Sequence, residues 1–313
     1  MILQYSERRW QRIYGVIFFN LKNIAWFFAL AITAYVFYNI LGIEEVALPL
    51  APVSITGVGL AIFLGFRNSS AYDRWWEARK IWGGIVNYSR SWAMLVTSFI
   101  APSEELSETE VKAFHKRLVY RHIAWLYALS MHLRKDMDTS VLKPFLEAAE
   151  FEKLQGFKNI PAQLINIQSK ELETAWKKGS TNQFRHSDLN QVLVEFYNLQ
   201  GKGERIKNTV FPYYYNFFTR LFLNLFLIIL PFSLVDTMSW AYIPVSAAIS
   251  FVFHILEKSG TITEEPFEGR AADTPMTTLC RTIEIDLRQM LGETDLPEPM
   301  KPKYTSFNAA YLD

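Results

Sequence analysis

Twice near its N-terminus the chain runs without a single Asp, Glu, Lys or Arg, from Asn23 to Ile43 and again from Val46 to Phe66. Each run is close to the ~20 apolar residues that carry a helix across a ~30 Å hydrocarbon core. In lipid every backbone donor and acceptor must pair within the segment, so such runs become helices. Only Glu44 and Glu45 separate the two, which leaves room for a tight connection and an antiparallel hairpin. Pro52 is expected to bend or offset the first turn of the second helix. Bulk composition alone does not decide the class, because 50% hydrophobic and 20% charged residues also suit a large soluble helical protein.

A second apolar region extends from Phe211 to Leu256, interrupted by Pro231, Asp236 and the Ser239-Trp240 pair. It reads as another hairpin, with Arg220 inside its first helix and no charge in its second before His254 and Glu257. Tyr213, Tyr214, Tyr215, Trp240 and Tyr242 fall near the ends, where amphipathic rings favour the headgroup level. Basic residues precede the first helix (Arg8, Arg9, Arg12, Lys22) and the third (Lys202, Arg205, Lys207), while the short connections carry none. The positive-inside rule then places both termini and the long middle segment in the cytoplasm. No cleavable signal peptide is expected ahead of the first span.

About 140 residues lie between the hairpins, too many for a loop without structure of its own. Tyr72 to Phe99 continues the second membrane helix, and Val111 to Arg134 carries Phe114, Leu118, His122, Trp125 and Leu129 on one broad face. Leu142 to Gly156, Pro161 to Lys178 and Asp188 to Lys207 read as further helices, and strand-type alternation is nearly absent. The expected fold is an all-α membrane protein in one unit: a first transmembrane hairpin over 18–66, cytoplasmic helices over 67–211, a second hairpin over 212–256 and a cytoplasmic C-terminal segment over 257–313. Pro297, Pro299 and Pro302 forbid a helix in the tail, which is expected along the surface or a neighbouring subunit.

Several chemistries are disfavoured. A net charge of +1 with no concentrated basic stripe argues against nucleic acid. The single Cys280 allows no intrachain disulfide and no thiolate cluster, and is simplest as a small buried residue. His115, His122 and His132 are not at metal-ligand spacing, and no phosphate loop, nucleophile elbow or redox thiol pair occurs. No metal, no cofactor and no enzymatic activity are expected. Arg74 and Glu77, three apart, can pair along a helix as a solvated or intersubunit network, or contribute to an ion pathway. Trp75, Trp76, Trp82 and Trp92 suit packing at a membrane boundary better than a ligand cage. Arg220 is costly in the membrane unless it snorkels, pairs with an acid or faces permeant ions; its partner stays open.

The junction Phe66-Arg67-Asn68, then Tyr72-Asp73-Arg74-Trp75-Trp76-Glu77 and Trp82-Gly83, resembles the signature of the bestrophin family of ion channels. Further likeness lies in Gly203-Glu204-Arg205-Ile206 with Phe211-Pro212, in Leu230-Pro231-Phe232, in Glu265-Pro266-Phe267-Glu268-Gly269, and in Asp273-Thr274-Pro275 with the helix that follows. It covers the chain from about Trp10 to Glu293.

The resemblance implies a homopentamer around a central pore, embedded in a lipid bilayer and passing monovalent ions. It implies a pore neck built from Val58, Ile62 and Phe66, with Arg74, Trp75, Trp76 and Glu77 as the structural junction below, and a lower aperture somewhere between Phe184 and Leu189. The Leu279 to Glu284 region looks like the bacterial branch, which implies an inner-membrane location and favours cations. A chloride or other anion channel of the same fold, or a non-conducting membrane scaffold, are the alternatives. Calcium-gated relatives carry a continuous acidic run after the Asn-Pro-Phe-Gly element; here Arg270, Ala271 and Ala272 interrupt it, so calcium gating is not expected.

Overall fold

Four helices are long and apolar enough to cross a membrane among the residues that the computed structural model describes, which are 2–4, 9–136, 138–209, 213–305 and 310–313. Arg8 and the Phe211-Pro212 entry to the third span lie outside the described residues, as do the side chains of Arg9, Arg12 and Tyr213. After a short α1 (Arg9–Phe19), the first span is α2 (Leu21–Tyr35), extended by one π-helical turn over Val36–Ile40. A 3-10 turn at Glu44–Val46 reverses the chain into α3 (Leu50–Phe99), an unbroken 50-residue helix. At about 1.5 Å per residue it is roughly 75 Å long, more than twice a bilayer core. Pro52 sits in its first turn, where a missing N–H leaves no bond unmade, so it marks the start of the helix instead of bending it.

The second hairpin is α8 (Tyr213–Leu234) and α9 (Tyr242–Thr263). α2 packs on α9, and α3 packs on both α8 and α9. Phe27, Ala31, Ala34, Leu60, Leu64, Leu223, Phe226 and Tyr242 form the membrane core. Small residues set its closeness: a Cβ on Gly57 would stand 3.0 Å from the Phe226 ring. Tyr242 differs from the headgroup-level expectation, since it is fully buried and its hydroxyl donates to the Ala31 carbonyl at 2.7 Å.

The C-terminal half of α3 is the spine of a second core with α4 (Glu108–Arg134), α6 (Ile160–Lys177), α7 (Gln183–Asn208) and α10 (Met276–Met290). Trp82, Trp92, Trp125 and Phe196 fill its centre, fully buried. Ser107 and Glu110 close a reciprocal capping box at the start of α4. Leu142 to Gly156 is not one helix. A 3-10 segment, Thr139–Phe145, contains Pro144, which cannot donate to an α ladder, and only the short α5 (Ala148–Leu154) follows. The tail was not expected to pair with the N-terminus, yet β1 (Ile2–Gln4), β2 (Lys303–Tyr304) and β3 (Ala310–Tyr311) form a small antiparallel sheet in the order β1-β3-β2. Cys280 is buried, donates weakly to the Leu126 carbonyl at 3.4 Å, and burial pushes its thiol pKa up.

Candidate pore face and intramembrane charge cluster

Residues four apart on a helix share a face, and on α3 that face is open. Val58, Ile62 and Phe66 are 62%, 57% and 68% exposed, while Leu60 and Leu64 between them are buried against the second hairpin. Three bulky apolar residues are thus presented at successive turns toward whatever surrounds the protomer. Among residues 184–189, Phe184 in the first turn of α7 is 82% exposed and Leu189 is buried, which leaves Phe184 as the large apolar group available to an aperture.

Directly behind Phe66, Arg67 is only 1% exposed. Its guanidinium reaches Glu257 of α9 at 3.3 Å, Thr261 at 2.9 Å and Glu264 at 3.4 Å. Arg220 of α8, 59% exposed at its side chain, comes to the same Glu257 oxygen at 3.2 Å. Glu257 is therefore the partner that the sequence left unnamed. Two arginines and two glutamates neutralise one another, which is what lets charge persist at this depth. As part of the Phe66-Arg67-Asn68 motif, Arg67 has no role that the sequence alone defines. The signal was present: an arginine ends an uncharged run, and Glu257 ends another. Beside the cluster, Asn68 donates to the Leu256 carbonyl at 3.0 Å, and a Cβ on Gly260 would come within 2.2 Å of the Asn68 side-chain oxygen, so any larger residue there must displace the Asn68 amide.

The junction is built differently from its spacing. Arg74 does not pair with Glu77. It donates to the carbonyls of Ile206 and Thr209 at 2.8 Å and of Glu264 at 3.1 Å. Those carbonyls close α7 and α9, where the helix dipole is negative and a rigid guanidinium fork binds well. Glu77 pairs with Lys80 at 2.7 Å. The Trp75 indole donates to the Ala272 carbonyl at 2.9 Å, and Trp76 stacks parallel to Tyr72 with centroids 6.5 Å apart. Trp82 and Trp92 belong to the second core, around the C-terminal half of α3.

The histidines have local partners. His115 meets the Ile100 carbonyl at 2.9 Å, and His132 lies 3.4 Å from Glu204. His122 is buried between Phe196 and Trp125, with its Nε2 2.8 Å from the Ser89 hydroxyl, and burial pushes its pKa down to about 3. Among the described residues no three His, Cys, Asp or Glu are grouped to hold a metal. In the loop after α9, Lys207 occupies Glu268 and Arg270 pairs with Glu265 at 3.1 Å. Asp273 accepts the backbone N–H groups of Glu268 and Arg270 at 3.0 Å, with its carboxyl pushed above the usual range by burial.

The family described as bacterial/fungal bestrophin protein matches residues 10–289. The "voltage-dependent anion channel-forming protein YneE" of Salmonella typhi is 33% identical over 265 residues, covering 85% of this chain and 83% of that one. A protein of the same description from Mesorhizobium japonicum is 30% identical over 254 residues, covering 81% and 78%. The crystal structure of a bacterial bestrophin homolog from Klebsiella pneumoniae superposes with a TM-score of 0.79 at 29% identity, over 88% of this chain and 99% of that one. With its four membrane helices and long central α3, the chain belongs to the bacterial and fungal bestrophin family, a family of membrane channels and not of enzymes.

Proposed function

We propose that five copies of this chain form a ring whose axis is lined by α3, and that monovalent ions pass through a neck made by Val58, Ile62 and Phe66. The observation that carries this reading is the open apolar face of α3 set against a buried Arg67 on its back. A helix meant only for lipid has no need of an ion-paired rear face, whereas a pore-lining helix must hold one rotational setting. Such a neck is a hydrophobic constriction that conducts when wetted. Phe184 is the residue we assign to the lower aperture.

The names of the relatives favour anions over the cations that the bacterial likeness first suggested. An apolar neck has no sign preference of its own, so the charge preference must come from elsewhere on the pore wall. Calcium plays no part in opening. The carboxylates of the loop after α9 are taken by Lys207, Arg270 and backbone N–H groups, and a calcium site needs about six to eight free oxygen ligands. The bacterial inner membrane with cytoplasmic termini is the setting that fits the distribution of basic residues.

The test is purified protein in planar bilayers under asymmetric salt, with the detergent complex weighed beforehand. A pentamer with a reversal potential on the anion side supports the reading. A monomer or dimer, or a pentamer that never conducts, favours a membrane scaffold, and a reversal potential on the cation side corrects the sign alone.

A further inference from the structure

The open stripe of α3 continues past the neck. At about 100° per residue, Ser69, Asp73, Trp76, Lys80 and Asn87 fall within roughly 40° of the line through Ile62, and all five are exposed. On the opposite side Ala71, Ala78 and Trp82 are buried. The stripe is therefore one surface that changes from apolar to polar as it leaves the membrane.

The charges of α3 are mostly committed. Arg67 and Arg74 point to the rear and are bonded there, Glu77 holds Lys80 at 2.7 Å, and Arg90 holds Asp286 at 2.7 Å. Arg79 stands about 100° around the helix from the stripe. Asp73 has no ion pair or hydrogen bond among the described residues. The cleft beside it is lined by Trp76, Glu77 and Lys80 of α3, by Arg205 of α7 and by Thr209 just past its end, and among the described residues no ion pair joins Arg205 to Asp73.

We propose that Asp73 sets the charge preference of the pore. The assignment rests on the ring proposed above. Seven residues beyond Phe66, the carboxylate lies about 10 Å below the neck, near one Debye length of ~8 Å at physiological salt. Five copies make an anionic ring at the mouth of a low-dielectric constriction, which focuses the field, enriches cations and repels anions. The paired Glu77 and Lys80 below add little net field. In a channel that passes anions, the ring is a brake on them; in one that passes cations, it is the attractor. Removing the charge moves permeability toward anions in either case.

Reversal potentials in asymmetric potassium chloride test this on the whole chain. D73N should raise the chloride-to-potassium permeability ratio several-fold, D73K should raise it further, and D73E should keep the parent value. S69A, an uncharged change on the same exposed stripe outside the neck, should leave the ratio alone. A parent that passes no current defeats the pore reading before any variant is made. A conducting parent whose D73N and D73K forms keep its ratio overturns the Asp73 assignment and leaves the pore standing. A Asp73–Arg205 pair between neighbouring copies would show as a weakened pentamer with an unchanged ratio, which also overturns it. Should those variants fail to assemble, D73C can be modified in place, because the chain's one other thiol, Cys280, is buried. Negatively and positively charged thiol reagents must then drive the ratio in opposite directions, and equal or absent effects overturn the proposal.

Discussion

The guanidinium of Arg67 crosses from α3 to the Glu257 carboxylate of α9 at 3.3 Å, one residue beyond Phe66 and about 140° around the helix from the line through Ile62. Arg220 reaches the same carboxylate from α8. Three of the four spans are therefore tied at one point, and the rotational setting of α3 is held there.

Breaking that tie from the buried side should be far more damaging than from the open side. Arg67→Met leaves Glu264 without its cation in the interior, an uncompensated charge that typically costs about 3–5 kcal/mol. Arg220→Met removes a more exposed partner, for which about 1 kcal/mol or less is expected. Thermal melting of the detergent complex compares them, and equal losses would mean that the cluster does not work as described.

Shortening the neck should ease conduction. Ile62→Ala and Phe66→Ala widen the constriction and lower the barrier to wetting, so single-channel conductance should rise in both, and Val58→Ala should act in the same direction. Three variants that remain pentameric and conduct like the parent would mean that the neck lies elsewhere.

Gly260→Ala places a methyl group 2.2 Å from the Asn68 oxygen. The Asn68 amide must then swing away and give up its bond to the Leu256 carbonyl, and a loss of about 1 kcal/mol is expected, as for one hydrogen bond. Adding Asn68→Ala should then cost little more. Melting curves of the two single variants and the double variant show whether the losses couple.

Stability should fall with acid partly through His122. Its folded pKa, pushed down to about 3 by burial, lies below the ordinary value of 6.5. Between these values the unfolded chain binds a proton that the folded chain refuses, so stability rises with pH across that window. His122→Phe should flatten the acid limb between about pH 6.5 and 4, and Ser89 keeps a partner in that variant through its 2.6 Å bond to the Ile85 carbonyl. An unchanged pH profile would place the acid sensitivity in other groups.

Calcium should leave the currents alone. Records taken with calcium chelated and then restored to micromolar levels should superimpose, because Lys207 and Arg270 already neutralise the acidic loop. A reproducible opening by calcium would require a clamp built from other residues.

What could be read in advance follows from how local each cause is. The spans were legible because lipid demands an unbroken apolar run, and nothing distant alters that demand. The continuation of α3 through the Trp-rich junction was legible for the same reason, since helical periodicity persists across it. Partners were not. Arg67 and Glu257 are 190 residues apart, and only the packing of two hairpins brings them together. Arg74 and Glu77 had the right spacing to pair, yet backbone carbonyls from α7 and α9 supplied better acceptors. Tyr242 looked interfacial by type, but a carbonyl on α2 gave its hydroxyl a partner in the interior. In 142–156 the apolar spacing suggested a helix, and Pro144 prevailed over it.

The unbroken course of α3 makes the proposed neck and the second core two ends of one shaft. No proline interrupts it between Val58 and Trp92, and the helix runs on through Gly59, Gly65 and the Gly83-Gly84 pair, so a rotation at the buried indole of Trp92 is passed along the backbone of one continuous helix. A roll of the lower end turns Val58, Ile62 and Phe66 through the same angle. Every packing contact in the second core is thereby also a contact on the axle that carries the proposed neck.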